Sequence, residues 1–124
     1  YCKYFSKIST KSIITNTKLK AKINKSASIT LKKINRLMQK NKKIKLNEII
    51  KISKEFAVNS ELLKDKKTMQ TIKNSEKNNG NASMIMLGNA VFSDKPFKNS
   101  IKLRISNKGA HLIWFQNHIL VMRH

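Results

Sequence analysis

Apolar and polar residues alternate most clearly towards the C-terminal end of the chain. Residues 83–88 form a short apolar run that ends at a glycine, which is typical of a buried strand. In residues 100–105 every second side chain is aliphatic, and this period of two predicts a strand with one apolar face. Ser106 or Asn107 can cap a helix, and residues 119–122 fit a closing strand. The pattern predicts a β-β-α-β unit over residues 83–122.

A period close to 3.6 residues occurs earlier in the chain and predicts helices over residues 28–73. Aliphatic side chains between positions 31 and 38 recur at helical spacing, after a possible cap at Ser28. Asn47 can cap a second helix, and Ser60 can cap a third. Residues 73–81 contain no apolar side chain, so we expect a loop over residues 74–82.

Residues 1–27 show neither period over any useful length. Their apolar side chains are scattered, and a lysine occurs every few positions. Such a segment cannot bury enough apolar surface by itself to offset the entropy lost on ordering. We therefore predict an α+β fold, in which a basic extended arm (1–27) precedes a single small α/β domain (28–124).

The charge of the chain narrows the choice of partner. Lys and Arg number 27 against 6 Asp and Glu, which gives a formal net charge of +21, and no acidic residue precedes Glu48. A surplus of this size favours a polyanion, with nucleic acid the first candidate and an anionic membrane surface the second. No apolar run is long enough to predict a membrane-spanning helix.

The cations that we expect to contact phosphate fall into three groups, which are the arm, the junction between the first two predicted helices, and the solvent face of the second predicted strand. Contacts of this kind fix position and affinity but carry little sequence information. The predicted RNA-binding residues are Lys3, Lys7, Lys11, Lys18, Lys20, Lys22, Lys25, Lys40, Lys42, Lys43, Lys45, Lys102 and Arg104.

The sequence offers little for catalysis, so we expect no enzyme activity, no catalytic residue, no metal and no cofactor. Cys2 is the single cysteine, which excludes an intrachain disulfide and indicates a reducing compartment. The six carboxylates are dispersed, and the three glycines form no phosphate-binding loop. A small nuclease remains the least favoured function.

The C-terminal third also resembles a known family. The run Met84-Ile85-Met86-Leu87-Gly88-Asn89-Ala90-Val91, then Lys95-Pro96-Phe97, then Ile101-Lys102-Leu103-Arg104-Ile105-Ser106 and Ile113, is similar to the C-terminal domain of the ribosomal proteins L-fifteen and eukaryotic or archaeal L-eighteen. Ala90 stands where that family has a second glycine, and Asn117-His118 where it has Gly-Gly. The resemblance implies a structural, rRNA-bound constituent of a large ribosomal subunit, with ribosomal RNA and neighbouring ribosomal proteins as partners.

A mitochondrial ribosome is the expected location. The chain starts with Tyr1, its composition is biased as in AT-rich genomes, and its first residues resemble either an organellar presequence or an RNA-binding tail. A cytoplasmic ribosome is the alternative location. The alternative function is that of an RNA-binding protein outside the ribosome, such as an organellar chaperone or regulator.

Overall fold

The computed structural model describes residues 1–40, 43–85, 88–108, 111–114 and 120–123. Helices and strands both contribute, so the predicted α+β class is confirmed. In chain order the elements are β1 (Cys2–Lys7), α1 (Thr10–Thr15), α2 (Thr17–Lys40), α3 (Leu46–Asn59), α4 (Lys66–Lys77), β2 (Ala82–Met84), β3 (Gly88–Ser93), β4 (His111–Trp114) and β5 (Leu120–Arg123).

The central sheet has three antiparallel strands in the order β1-β3-β2. The first residue of the chain is fixed to the end of β3, because the Tyr1 amino group donates to the Ser93 carbonyl at 2.9 Å. The Ser93 amide donates back to the Tyr1 carbonyl at 2.8 Å. Pairing continues from Cys2 opposite Phe92 to Lys7 opposite Gly88, with an irregularity between Tyr4 and Ser6. The prediction of an extended arm over residues 1–27 is therefore wrong.

The other part of the predicted arm is helical. Ser9 caps α1 by accepting from the Ser12 amide at 3.3 Å, and α2 begins at Thr17 rather than near Ser28. The side chains of α2 that face the protein recur at intervals of three and four residues, as expected for one helix stripe. These buried or half-buried residues are Leu19, Ile23, Ser26, Ala27, Thr30, Lys33, Ile34 and Leu37. The helical period of this segment is hard to recognise in the sequence, because Ser, Thr and Ala occupy some of the inward positions in place of aliphatic residues.

The next two helices lie close to where the sequence places them. α3 begins at Leu46, and Ser60 ends it rather than starting the next helix, since its amide donates to the Phe56 carbonyl at 2.9 Å. α4 instead begins after Asp65, whose side chain accepts from the Thr68 amide. α4 continues to Lys77, so the predicted loop over residues 74–82 shortens to the four positions before β2.

Two small apolar clusters hold the helices against the sheet. The first combines Ile13, Ala57, Leu62 and Met84, and half-buried side chains from the start of the chain pack against it. The second joins Ile72 of α4 to Ala82 of β2 and Val91 of β3. Burial of each large aliphatic side chain stabilises the fold by about 1.5 to 3 kcal/mol. The core therefore depends both on the first 27 residues and on the strands β2 and β3.

The predicted β-β-α-β unit over residues 83–122 is wrong in its second and third elements. The first predicted strand is β2, and its last predicted residues, Met86 and Leu87, lie outside the described residues. The partner of β2 is β3, at Gly88–Ser93, and not the stretch 100–105. That stretch is joined to the sheet by one bridge, between Ile101 and Cys2.

The predicted helix after Ser106 is replaced by a strand where the structure describes it. β4 pairs with β5 in a separate two-stranded antiparallel sheet, from His111 opposite Arg123 to Trp114 opposite Leu120. The predicted closing strand over residues 119–122 thus corresponds to β5, which pairs with β4 and not with the central sheet. Residues 109–110 and 115–119 of the predicted helix and strand lie outside the described residues.

Candidate nucleic-acid interface

Three of the six carboxylates form ion pairs that fasten the helices to one another. Glu61, just after α3, pairs with Lys22 of α2, and Glu55 of α3 pairs with Lys33 of α2. Glu76 of α4 pairs with Lys54 of α3. The Lys22 ammonium donates to the Glu61 carboxylate and holds the pKa of that carboxyl below its usual range. These three glutamates are thereby committed to contacts inside the fold.

The remaining three carboxylates accept hydrogen bonds from backbone amides. Glu48 accepts from the Lys45 amide at 3.0 Å, at the start of α3. Asp65 accepts from the Thr68 amide and hydroxyl at 2.9 Å each, and the amide bond first, then the hydroxyl bond, lowers the pKa of Asp65. Burial acts to raise the pKa of Asp94, but hydrogen bonds from the Asn81 amide and side chain, both 2.8 Å, outweigh it and lower that pKa.

The carboxylates therefore leave most of the positive charge unneutralised. All six have a partner within the fold, and three of those partners are lysines out of the 27 basic residues. Because like charges at this density repel one another, a surface that presents them in one place favours an anionic partner. The question is then where the exposed cations gather.

The outer face of α2 carries the most regular group, which we call the α2 row. Its members are Lys18, Lys25, Lys32 and Arg36. All four side chains are exposed. Because a helix turns about 100° per residue, their spacings of seven, seven and four residues place them within about 40° of one another around the axis. α2 contains no acidic residue, and no carboxylate in the described ranges forms an ion pair with the row.

Sequence reasoning found half of the α2 row. Lys18 and Lys25 are among the predicted RNA-binding residues, whereas Lys32 and Arg36 were treated only as polar positions of a helix. The spacing of seven residues from Lys18 through Lys25 to Lys32 is the sequence feature that indicates the full row. A helix that starts near Ser28 leaves Lys18 and Lys25 outside it, so the common face becomes apparent only once α2 is known to begin at Thr17.

The other predicted cations of residues 1–40 have different surroundings. Lys22 is paired with Glu61, and Lys20 lies on the opposite flank of α2 from the row. Lys3 is half-buried in β1, with its ammonium 5.1 Å from the centre of the Phe5 ring. Lys7 at the end of β1, Lys11 on α1 and Lys40 at the end of α2 are exposed. The structure thus spreads this predicted group over several elements.

The described cations of the predicted junction and strand groups are exposed, but they lie on irregular segments and not on a helix or strand face. Lys43 and Lys45 precede α3, and Lys42 lies outside the described residues. Lys102 and Arg104 occur on a stretch without regular secondary structure, not on the solvent face of a strand. Their aliphatic neighbours are exposed as well, at 65% for Ile101, 62% for Leu103 and 80% for Ile105.

A shorter row of cations, absent from the predicted site, lies on α4. Lys66, Lys73 and Lys77 share one side of this helix at spacings of seven and four residues, and Lys67 is a neighbour. All four are exposed. This α4 row is about 16 Å long, against about 27 Å for the α2 row, at 1.5 Å per residue. Glu76 lies on the same helix, although it is paired with Lys54.

An open apolar groove of about 430 Å³ lies between α2, α3 and the β2–β3 side of the sheet. Leu31, Phe56, Met84 and Ile85 are among its lining residues, and the described lining includes no titratable side chain. In the described part of the chain no three His, Cys, Asp or Glu side chains gather as metal ligands do. The groove offers apolar contacts and lacks acid–base groups.

The described helices differ from membrane spans in composition, since none combines the length and the apolar character needed to cross a bilayer. Comparison of the chain with protein-family models, with characterised proteins and with solved structures finds no match. The features that bear on function are therefore the distribution of charge and the exposure of the cations on α2 and α4.

Proposed function

We propose that this chain binds ribosomal RNA as a structural constituent of the large subunit of a mitochondrial ribosome. The observation that carries the proposal is the separation of charge within the fold. The six carboxylates are used to hold helices and turns, while the α2 row and its neighbours remain exposed and unpaired by carboxylates in the described ranges. Phosphates are the partner that neutralises such a surface.

Binding of this kind works by position and shape. Each lysine or arginine that meets a phosphate releases condensed counterions, which supplies affinity without dependence on base sequence. Packing of Leu19 and Ile23 against the first apolar cluster holds α2 on the rest of the protein, and the two exposed ion pairs of α2 add little to it. The row is therefore presented on a packed helix. A rigid basic helix of this type recognises a folded RNA rather than a base sequence.

The step from RNA to the ribosome rests on the sequence resemblance and on the density of charge. Of the family pattern over residues 84–91, Met84 ends β2 and Gly88 begins β3, while residues 86–87 lie outside the described residues. The helix implied by the family after Ser106 is not found at His111–Trp114, which is β4. The ribosomal placement therefore rests on the resemblance in sequence, and the basic surface supports RNA binding independently of it.

A second candidate is an RNA-binding protein outside the ribosome, such as an organellar chaperone or regulator. It is favoured by the way in which the fold encloses its own core, with Ile50, Ile72 and Val91 at 1% exposure or less. Burial of these side chains contributes stability that does not depend on contact with RNA. Such a protein can act on RNA as a free molecule.

Co-sedimentation separates the two candidates. The tagged full chain is expressed in cells, and mitochondrial and cytoplasmic ribosomes are pelleted at moderate salt, with and without prior separation of the subunits. We expect the chain in the mitochondrial large-subunit fraction. Recovery outside every ribosomal pellet, together with RNA that crosslinks to the chain, would instead establish the second candidate. If the chain is recovered neither with ribosomes nor with crosslinked RNA, RNA binding itself is contradicted.

A further inference from the structure

We propose that the α2 row binds the backbone of double-stranded RNA, so that the RNA segment on which this protein docks is a duplex and not a single strand. The inference rests on the proposed RNA-binding function and adds to it the class of RNA structure. It follows from the shape of α2, from the residue types on its outer face and from the position of the carboxylates.

The first argument is the fixed spacing of the row. α2 extends over 24 residues without a glycine or proline, so it is a rod of about 36 Å. Lys18 and Arg36 mark a row of about 27 Å with steps of about 10 Å, 10 Å and 6 Å. A flexible single strand would lose conformational entropy on aligning its phosphates with this fixed row, whereas a duplex presents phosphates that are already held in a regular array.

The second argument is the lack of a stacking platform. Proteins that bind single strands combine basic grooves with aromatic side chains on which the bases stack. α2 contains no aromatic residue, and the apolar side chain between Lys25 and Lys32 on this face is the aliphatic Ile29. Tyr4, which is 60% exposed, lies on β1 and not on α2. The α2 row therefore offers charge without stacking, which suits a backbone whose bases are already paired.

The third argument is the location of the acids next to α2. Glu61 and Glu55 pair with Lys22 and Lys33, which lie between the core face of the helix and the row. These acids are paired at the border of α2, and its outer face carries no acidic residue. The wide, shallow minor groove of an RNA duplex exposes phosphates on both of its edges, and a helix laid across it can contact both strands.

The test compares two charge-matched variants of the full chain. In the first, the α2 row is neutralised by Lys18→Gln, Lys25→Gln, Lys32→Gln and Arg36→Gln. In the second, the α4 side is neutralised by Lys66→Gln, Lys67→Gln, Lys73→Gln and Lys77→Gln. Glutamine keeps most of the helix propensity of lysine and arginine, and thermal melting shows that each variant is folded. Dissociation constants are measured against salt for a paired RNA of about 20 base pairs and for unstructured oligouridylate with the same number of phosphates.

The wild-type chain is expected to bind the duplex at least about tenfold more tightly than the single strand. The α2 variant should lose about a hundredfold in duplex affinity, and the slope of log K against log salt should fall by about 3 to 4, since four phosphate contacts are removed. The α4 variant should lose only a few fold, and equally for both RNAs.

Three results would overturn the inference. Equal or tighter binding of oligouridylate by the wild-type chain would exclude duplex preference while leaving RNA binding intact, and this comparison needs no variant. Equal losses in the two variants would show that net charge, and not the α2 row, binds the duplex. Absence of binding to either RNA near physiological salt would remove the proposed function as well.

Discussion

Residues 1–27 and residues 101–105 both differ from what their sequences predict, which is an extended arm for the first and a strand for the second. The first stretch has no sustained periodicity and contributes a strand to the central sheet, a short helix and the first part of the longest helix. The second has the alternation of an ideal strand, yet it contacts the sheet through a single bridge at Ile101. Ile13 of the first stretch is 8% exposed, whereas Ile105 of the second is 80% exposed.

The difference shows that a strand is defined by its partner. β1 has no regular apolar alternation, but the edge of β3 exchanges hydrogen bonds with it from Tyr1 to Lys7. Ile101 exchanges two backbone hydrogen bonds with Cys2, and residues 102–105 after it form no strand. An alternating pattern alone therefore does not stabilise a strand, since each backbone group needs a partner.

The largest expected effect comes from removing residues 1–16. This deletion takes away β1, exposes the edge of β3 and removes Ile13 from the first apolar cluster. We expect the cooperative thermal transition to disappear in circular dichroism and calorimetry. The control replaces Lys3, Lys7 and Lys11 by glutamine, which removes charge but keeps the packing, and it should melt cooperatively. A cooperative transition in the truncated chain would restore the view of this segment as an arm.

A smaller effect separates two adjacent isoleucines of α1. Ile13 is buried, so Ile13→Ala should lower the free energy of unfolding by about 2 to 4 kcal/mol. Ile14 is 60% exposed, so Ile14→Ala should change it by less than about 0.5 kcal/mol. Urea unfolding measures both. Equal values for the two variants would mean that α1 does not pack on the core through Ile13.

The smallest effect is expected in the exposed stretch. Leu103→Ser should change the free energy of unfolding by less than about 0.5 kcal/mol, because the side chain is 62% exposed. The same substitution at the buried Leu62 should cost at least about 3 kcal/mol, since it leaves a cavity and a buried hydroxyl. If Leu103→Ser were as harmful as Leu62→Ser, residues 101–105 would have to be packed against the protein.

The helical part of the fold was largely accessible from the sequence. The spacing of apolar residues places α3 correctly, because this spacing is a local property of a helix. The predicted caps are wrong, since Asn47 lies inside α3 and Ser60 ends it, so that α4 begins only at Lys66. The second half of α2 was predicted for the same reason, but its start was not, since Ser26 and Thr30 carry its inner face in place of aliphatic residues. The sequence does not predict β3, because a glycine after an apolar run indicates the end of a strand, whereas Gly88 begins one here.

For the candidate interface, too, some features follow from the sequence and others only from the structure. The surplus of cations, the acid-free start of the chain and the presence of Lys18 and Lys25 are facts of sequence. Their alignment with Lys32 and Arg36 depends on one continuous helix from Thr17 to Lys40. The fate of the carboxylates also depends on the fold, because Lys22 and Glu61 are 39 positions apart in the chain.

The sequence by itself determined that this is an α+β protein with a large surplus of positive charge, since composition and helical period can be read over a few residues at a time. Only the tertiary structure decided that the first residues belong to the sheet, that residues 101–105 remain exposed, and that the cations of α2 stand in one row. Those outcomes depend on which distant segment supplies a hydrogen-bonding edge or a counter-charge. The pattern within one segment cannot specify this choice, because the free energy of a contact depends on both segments that form it.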